Sequence, residues 1–341
     1  MPLEEPSWWY GSKPAPALLS LLGRLYGGIA EWRFRRHAPY RSRLPVICIG
    51  NFTAGGTGKT PLSILIARTL QEQGLAPAFL TRGYGGRETG PAWVDTEAGG
   101  ADRFGDEPLL LARAAPTVVA RDRALGAQLI EAGGRGISAI IMDDGLQNPS
   151  LAKDLTIAVV DGARGLGNGA VIPAGPLRAP IDFQMGLVDA IGVTMNGDAN
   201  GTLELMRHRF PGPVLELHRA ATGDVDWLKG TAVVAFAGIA NPERFFAQLD
   251  ELGASVKDRI AFRDHHAFTR DDAERLLAAA AQHGATLVTT EKDWVRLQGK
   301  PELPPRLVES ARTLAIETTL EARDRKRLES LIATAMQKSA G

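Results

Sequence analysis

A mostly parallel α/β sheet sandwiched by helices is the fold class that this 341-residue chain predicts. A second, smaller α/β domain and an N-terminal amphipathic membrane-binding helix complete the expectation. Three observations predict it. Short apolar runs alternate with stretches of helical periodicity, as in a parallel sheet covered on both faces. One glycine-rich turn, Gly50-Asn-Phe-Thr-Ala-Gly-Gly-Thr-Gly-Lys-Thr-Pro61, joins such a run to an amphipathic helix. Another run, Ser138-Ala-Ile-Ile-Met142, ends in Asp143-Asp144-Gly145.

The elements follow in order. Residues 6 to 43 carry Trp8, Trp9 and Trp32, half of the six tryptophans, with Leu18, Leu19, Leu21, Leu22, Leu25, Tyr26, Ile29 and Phe34. Arg24, Arg33, Arg35, Arg36, Arg41 and Arg43 stand among or after them against the single acid Glu31. An apolar stripe with a basic flank suits an in-plane interfacial helix. A helix packed on the domain with a solvated basic end has the same pattern, and both readings stay open at this point.

Residues 44–50 read as a buried strand, and Leu62, Leu65, Ile66 and Leu70 continue at helical spacing to a stop at Gly74. The turn between them is a phosphate-binding loop, P-loop-like over Thr53, Ala54, Gly55, Gly56, Thr57, Gly58, Lys59 and Thr60. Glycines let backbone amides wrap an anion, and the helix N-terminus adds partial positive charge. Lys59, expected as an exposed loop cation, reaches the β- and γ-phosphates, and the Thr60 hydroxyl binds Mg²⁺. The pattern departs from G-x-x-x-x-G-K-[ST] in having Thr53 at the first glycine. ATP and Mg²⁺ are the cofactors this implies.

Further strands are expected over 76–81, 117–120, 138–142, 155–161 and 188–194, with a helix over 124–132. Active-site loops then lie at the strands' carboxyl ends. Asp143 and Asp144 are placed to hold the metal against Thr60. Asp106, in Gly105-Asp-Glu-Pro108, reads equally as a helix N-cap and as a carboxylate accepting a proton from an attacking hydroxyl. Residues 223–230 read as a linker between a domain over 44–222 and another over 231–341. The second domain has strands at 231–237, 286–290 and 313–316 and helices over 242–252, 271–283 and 324–336, the last of which can pack back on the first domain. Asp264-His265-His266 could ligate a metal, serve as an acid–base partner, or lead into a helix capped by Thr269.

Composition narrows the class. Apolar residues make up 44% and charged residues 23%, with formal net charge zero, which argues against nucleic acid as main partner. The single cysteine, Cys48, excludes a disulfide framework. No secretory signal and no run long enough to span a bilayer is seen.

Taken together these motifs resemble tetraacyldisaccharide 4'-kinases of lipid A biosynthesis, from Trp8-Trp-Tyr10 to about Leu297. The resemblance includes Thr81-Arg-Gly-Tyr-Gly-Gly86, Gly105-Asp-Glu-Pro108, Asp143-Asp-Gly-Leu-Gln147, Pro173-Ala-Gly-Pro-Leu-Arg178, Phe236-Ala-Gly-Ile239, Asp264-His-His266 and Thr290-Glu-Lys-Asp293. It implies ATP-dependent phosphorylation of the 4'-hydroxyl of a tetraacylated glucosamine disaccharide 1-phosphate at the cytoplasmic face of the inner membrane. It further implies Asp106 as base assisted by His265, Asp144 with Asp143 on magnesium, and Arg82 and Arg178 facing substrate or phosphates; Arg121, after the strand 117–120, is a further candidate for binding substrate. Where the family commonly has an acid after Leu-Arg, this chain has Ala179. A four-chain lipid leaves a bilayer at a cost of about 0.8 kcal/mol per buried CH₂, which favours the interfacial reading of residues 6 to 43. The protein is expected as a peripheral monomer. The rival reading is a membrane-associated partitioning or targeting ATPase, which needs neither acceptor base nor lipid groove.

Overall fold

The computed structural model describes residues 5–338 apart from 12, 97–99, 240, 299 and 301. Its strands are β1 (Val46–Gly50), β2 (Pro77–Thr81), β3 (Ala92–Trp93), β4 (Thr117–Val119), β5 (Ala139–Asp143) and β6 (Leu155–Asp161). They continue with β7 (Ala190–Thr194), β8 (Val214–Thr222), β9 (Ala232–Ala237), β10 (Ser255–Ala261), β11 (Thr286–Thr290) and β12 (Ala311–Thr319). All join one sheet in the order β10-β9-β11-β12-β8-β7-β6-β1-β5-β2-β4-β3. Pairing is parallel except at the β3·β4 edge and between β8 and β12.

Alternation along β1 explains why both sheet faces are covered. Ile47 and Ile49 pack with Leu62, Ile66 and Leu70 of the helix Lys59–Glu72. Val46 and Cys48 point to the other face, with Ala127 and Ile130 of the helix Arg123–Ala132. Successive side chains alternate faces, so a strand buried on both sides must be apolar throughout. Burial pushes the Cys48 thiol up to about 11, which makes it packing material and not a nucleophile.

The C-terminal half repeats the plan. Phe245, Phe246 and Leu249 cover one face of β9, and Ala273 and Leu276 the other. The segment expected as a linker is folded: Asp226–Leu228 is a turn of 3-10 helix, with Leu228 buried beside Val233 and Phe246. Residues 315–319 of β12 pair antiparallel with residues 218–222 of β8, so one sheet crosses the expected boundary. The helix Ala322–Lys338 then returns over the first half, where Leu328, Ile332 and Ala335 pack with Ile47 and Leu155.

The helix Ala17–Arg36 attaches by its small residues. Gly23 and Gly27 are buried; a Cβ on Gly23 would collide with Val171 O, and one on Gly27 would press on the Pro180 ring at 3.1 Å. Its other side turns Leu18, Leu21, Leu22, Leu25, Tyr26, Ile29 and Trp32 outward, Leu25 being 58% exposed. Trp8 and Trp9 are instead half-buried, and Trp9 Nε1 donates to Pro173 O at 3.3 Å. No helix among the described residues is long and apolar enough to cross a membrane.

Candidate active site

The phosphate-binding loop lies at the carboxyl end of β1, between β5 and β6 in the sheet. Thr53 needs no glycine, because its φ is not positive and its backbone is paired. Its carbonyl accepts Arg178 Nε at 3.1 Å, and the next amide, Ala54 N, donates to Pro176 O at 2.8 Å. Positive φ occurs instead at Gly55 (101°) and Gly58 (94°), where a side chain would be strained. Asn51 Nδ2 holds the loop by donating to Gly55 O at 3.2 Å.

The helix that follows starts at Gly58 without a side-chain cap, whereas Asp122, Thr269 and Thr290 each cap theirs. Its first amides are therefore free for an anion. The Thr57 hydroxyl is buried with no partner, and nothing lies within 4 Å of a Cβ built on Gly56. An orphaned donor beside an open glycine cradle fits the phosphates of a nucleotide.

Lys59 is less exposed than expected: its side chain retains 12% exposure, and Nζ lies 3.6 Å from Asp144 Oδ1. Arg178 Nη1 donates to the same Oδ1 at 2.9 Å. Burial works to raise the Asp144 carboxyl, but Lys59 and Arg178 outweigh it and hold it below its ordinary value. Asp143 is fully buried at the end of β5, accepting from Ser63 Oγ at 2.8 Å and Thr60 Oγ1 at 3.4 Å. Burial, with Glu107 adding repulsion, pushes its carboxyl up to about 7. A divalent cation there would restore the ionised form. Thr60 and Asp143 are thus a fitting pair of oxygen ligands for Mg²⁺, which keeps several waters and takes phosphate oxygens for the remainder.

The second cluster faces this one from the C-terminal half. Asp106 is the first residue of the helix Asp106–Ala112, capped at Gly105, so the N-cap reading does not hold. Its buried carboxylate turns instead to the other half of the chain. Oδ2 receives Arg296 Nε at 2.8 Å, lies 3.2 Å from His265 Nδ1, and has Lys292 Nζ at 3.8 Å. Burial works against its charge, yet the His265 hydrogen bond and the charges of Lys292 and Arg296 hold the carboxyl below the usual range. Arg296 is itself fixed by Asp293 Oδ1 at 2.8 Å, and Asp293 Oδ2 accepts from Gly238 N at 3.0 Å. The Thr290-Glu-Lys-Asp293 and Phe236-Ala-Gly-Ile239 motifs therefore meet beneath Asp106.

The Asp264-His265-His266 alternatives are separated. Thr269 forms a capping box with Asp272, His266 Nε2 lies 2.8 Å from Asp272 Oδ2, and His265 goes to Asp106. No group of three metal-ligating side chains occurs among the described residues. His265 (φ 58°) and Asp144 (φ 52°) are the two non-glycine residues with positive φ among those described. Such conformations cost of order 1–3 kcal/mol and gather at functional sites.

Tyr84, 67% exposed, meets the His265 ring edge-on at 6.0 Å. Its loop packs tightly on Asp106's helix, since a Cβ at Gly86 would strike Gly105 N. Arg82 and Arg121 are exposed, and Arg82 acts electrostatically on buried Arg123 together with Asp144 and Asp143. Ala179 is buried, its carbonyl accepting Gln184 Nε2 at 2.7 Å. Sequence reasoning missed Lys292, Arg296 and Arg123. Of these, only Lys292 lay in a quoted motif.

Comparison with known proteins agrees. The Tetraacyldisaccharide-1-P 4'-kinase family model matches residues 15–337. Tetraacyldisaccharide 4'-kinase of Methylobacterium nodulans is 50% identical over 292 residues, spanning 85% of this chain and 86% of that protein. That of a Methylorubrum extorquens strain is 46% identical over 93% of this chain and 97% of its own. LpxK from Aquifex aeolicus, solved as an "apo" form in complex with ATP, superposes with TM-score 0.73 at 26% identity. It covers 93% of this chain and 98% of its own. With a matched family model, close relatives and a shared fold over nearly its whole length, the chain belongs to the tetraacyldisaccharide-1-P 4'-kinase family.

Proposed function

We propose that ATP lies on the loop 53–60 and that the acceptor hydroxyl is presented to Asp106 and His265. The reaction is ATP-dependent phosphorylation of the 4'-hydroxyl of a tetraacylated disaccharide 1-phosphate, an alcohol-acceptor phosphotransfer in lipid A biosynthesis. The loop amides and Lys59 hold the phosphates, and Mg²⁺ on Thr60 and Asp143 would neutralise charge on their oxygens. Asp144 is the counter-ion that keeps Lys59 and Arg178 aimed at the same place.

The observation that carries the assignment is the Asp106–His265 pair, an ionised carboxylate with a partly exposed imidazole against it. A carboxylate held well below its usual range is a weak base. Phosphoryl transfer has a loose transition state, in which the hydroxyl proton leaves late and positioning matters most. Asp106 therefore orients the hydroxyl by accepting its hydrogen bond, and His265 offers a route for the proton to solvent. Arg82, Arg121 and Arg178 remain the candidates for facing substrate or phosphates, with Arg178 beside Asp144.

The outward apolar face of Ala17–Arg36 is proposed to seat a monomer on the cytoplasmic face of the inner membrane, where the acyl chains stay buried. Among the described residues, seven of the ten exposed large apolar side chains lie on this one helix. Incubation with ATP and the acylated disaccharide 1-phosphate should give one ADP per product phosphorylated at the 4' position, read by phosphorus NMR. ADP release at the same rate without lipid would support the switched-ATPase reading instead.

A further inference from the structure

On the side of the loop away from Asp143 stands a cation that the reaction described so far does not use. Arg219 lies on β8, two strands beyond β6, and its backbone pairs with Thr318 of β12. Its Nη2 lies 3.0 Å from a Cβ built on Gly58, and Thr194 Cγ2 lies 3.4 Å from the same point. The guanidinium therefore hangs directly over the residue that opens the phosphate-loop helix. It makes no hydrogen bond or ion pair among the described residues.

The surroundings do not neutralise it. Burial, with Arg244 adding repulsion, brings the Arg219 pKa down to about 10, and Asp161 is the one acid acting in the other direction. The Asp161 carboxylate is already engaged by Asn196 Nδ2 at 3.1 Å and by the amides of Ala163 and Arg164 at 3.0 and 3.1 Å. A partly buried arginine repelled by a second one, with the acid that acts on it committed elsewhere, forms a site short of negative charge. Arg244 comes from the helix Pro242–Glu251, whose N-terminus is held by Asn241.

We propose that Arg219, backed by Arg244, binds the phosphates of the nucleotide that are not transferred. The sheet order supplies the direction. Lys59, Asp143 and Asp144 gather on the β5 side of β1, where the transferred phosphate and metal belong, whereas Arg219 approaches from the β7–β8 side. A cation on that side touches the part of the nucleotide present in both ATP and ADP. It also sits on the strand joined to β12, so nucleotide binding draws on both halves of the chain. This rests on the assignment of ATP to the loop 53–60.

The test is calorimetric titration of the full chain with ATP and with ADP. Arg219→Gln should weaken both by a similar factor, about 10- to 100-fold, with Arg219→Lys recovering part of the loss. The melting temperature without nucleotide should stay near that of the parent. Unchanged affinities, a loss confined to ATP, or a lower melting temperature with unchanged affinities would each overturn the proposal. A Lys59→Ala protein that keeps full affinity would overturn the loop assignment, and this inference with it.

Discussion

Arg296 Nε donates to Asp106 Oδ2 at 2.8 Å across 190 positions of sequence, in a site where both side chains are 5% exposed. The carboxylate proposed to orient the acceptor hydroxyl is thus anchored by the opposite half of the chain. His265 approaches the same oxygen at 3.2 Å and remains 37% exposed. One partner fixes the carboxylate, and the other leads to solvent.

Losing either Asp106 or His265 should lower kcat by about 10²–10⁴-fold with little change in ATP affinity. The double variant should cost hardly more than the worse single one, because groups acting as a unit are non-additive. Steady-state kinetics of Asp106→Asn, His265→Ala and the pair decide this. Fully multiplicative losses would mean that the two act separately.

The Asp106–Arg296 pair also predicts a pH dependence. The folded-state pKa of Asp106 lies below its ordinary value of 3.8. Its contribution to stability is therefore complete above that value and lost as pH falls through the folded pKa. Asp106→Asn removes one of the two carboxylates on Arg296, leaving Asp293, and should destabilise by about 1–3 kcal/mol at neutral pH. Chemical denaturation of parent and variant should show a constant gap from about pH 7 to 5 that narrows below about pH 4. The high pKa of Asp143 is common to both proteins and cancels. A gap that persists at the acid end would refute the assignment.

Lys59→Ala should abolish phosphoryl transfer in a folded protein. Asp143→Asn should raise the magnesium concentration needed for half-maximal rate, since Asp143 and not Asp144 stands against Thr60. Asp144→Asn is expected to act on Lys59 and Arg178 instead, with a weaker magnesium effect. Magnesium titrations of both variants separate these roles, and the reverse ranking would exchange them.

Leu25→Asp should release the protein from anionic vesicles without lowering its melting temperature, because Leu25 is 58% exposed. Replacing Arg33, Arg35 and Arg36 with Ser should weaken binding further, as should salt, at about 1 kcal/mol per basic residue near the surface. Unaltered co-sedimentation in every case would leave the helix a packed structural element.

The sequence made the parallel core readable because β1, β5, β6 and β7 are continuous apolar runs. It concealed β8 and β10, where Glu216, His218 and Arg219, or Lys257, Asp258 and Arg259, interrupt the pattern. β10 is a sheet edge, where charge discourages pairing with other chains. Site residues inside glycine-rich or acidic loops announced themselves. Arg296 did not, because an arginine on a short helix looks like any solvated charge until its carboxylate is found far along the chain. Arg219 was hidden for another reason, since it lies on β8 and comes near Gly58 only once the sheet has formed.

Because Leu328, Ile332 and Ala335 complete the core around Ile47 and Leu155, the first half is unfinished until residues 322–338 have been made. During synthesis the apolar face of β1 and β6 that the helix Lys59–Glu72 does not cover must wait in water. Cutting near residue 223 should yield two fragments that aggregate alone and regain activity only when refolded together. A soluble, cooperatively melting fragment ending before residue 320 would count against this. The order of manufacture, and not only the finished shape, ties the nucleotide-binding half to the helix Ala322–Lys338.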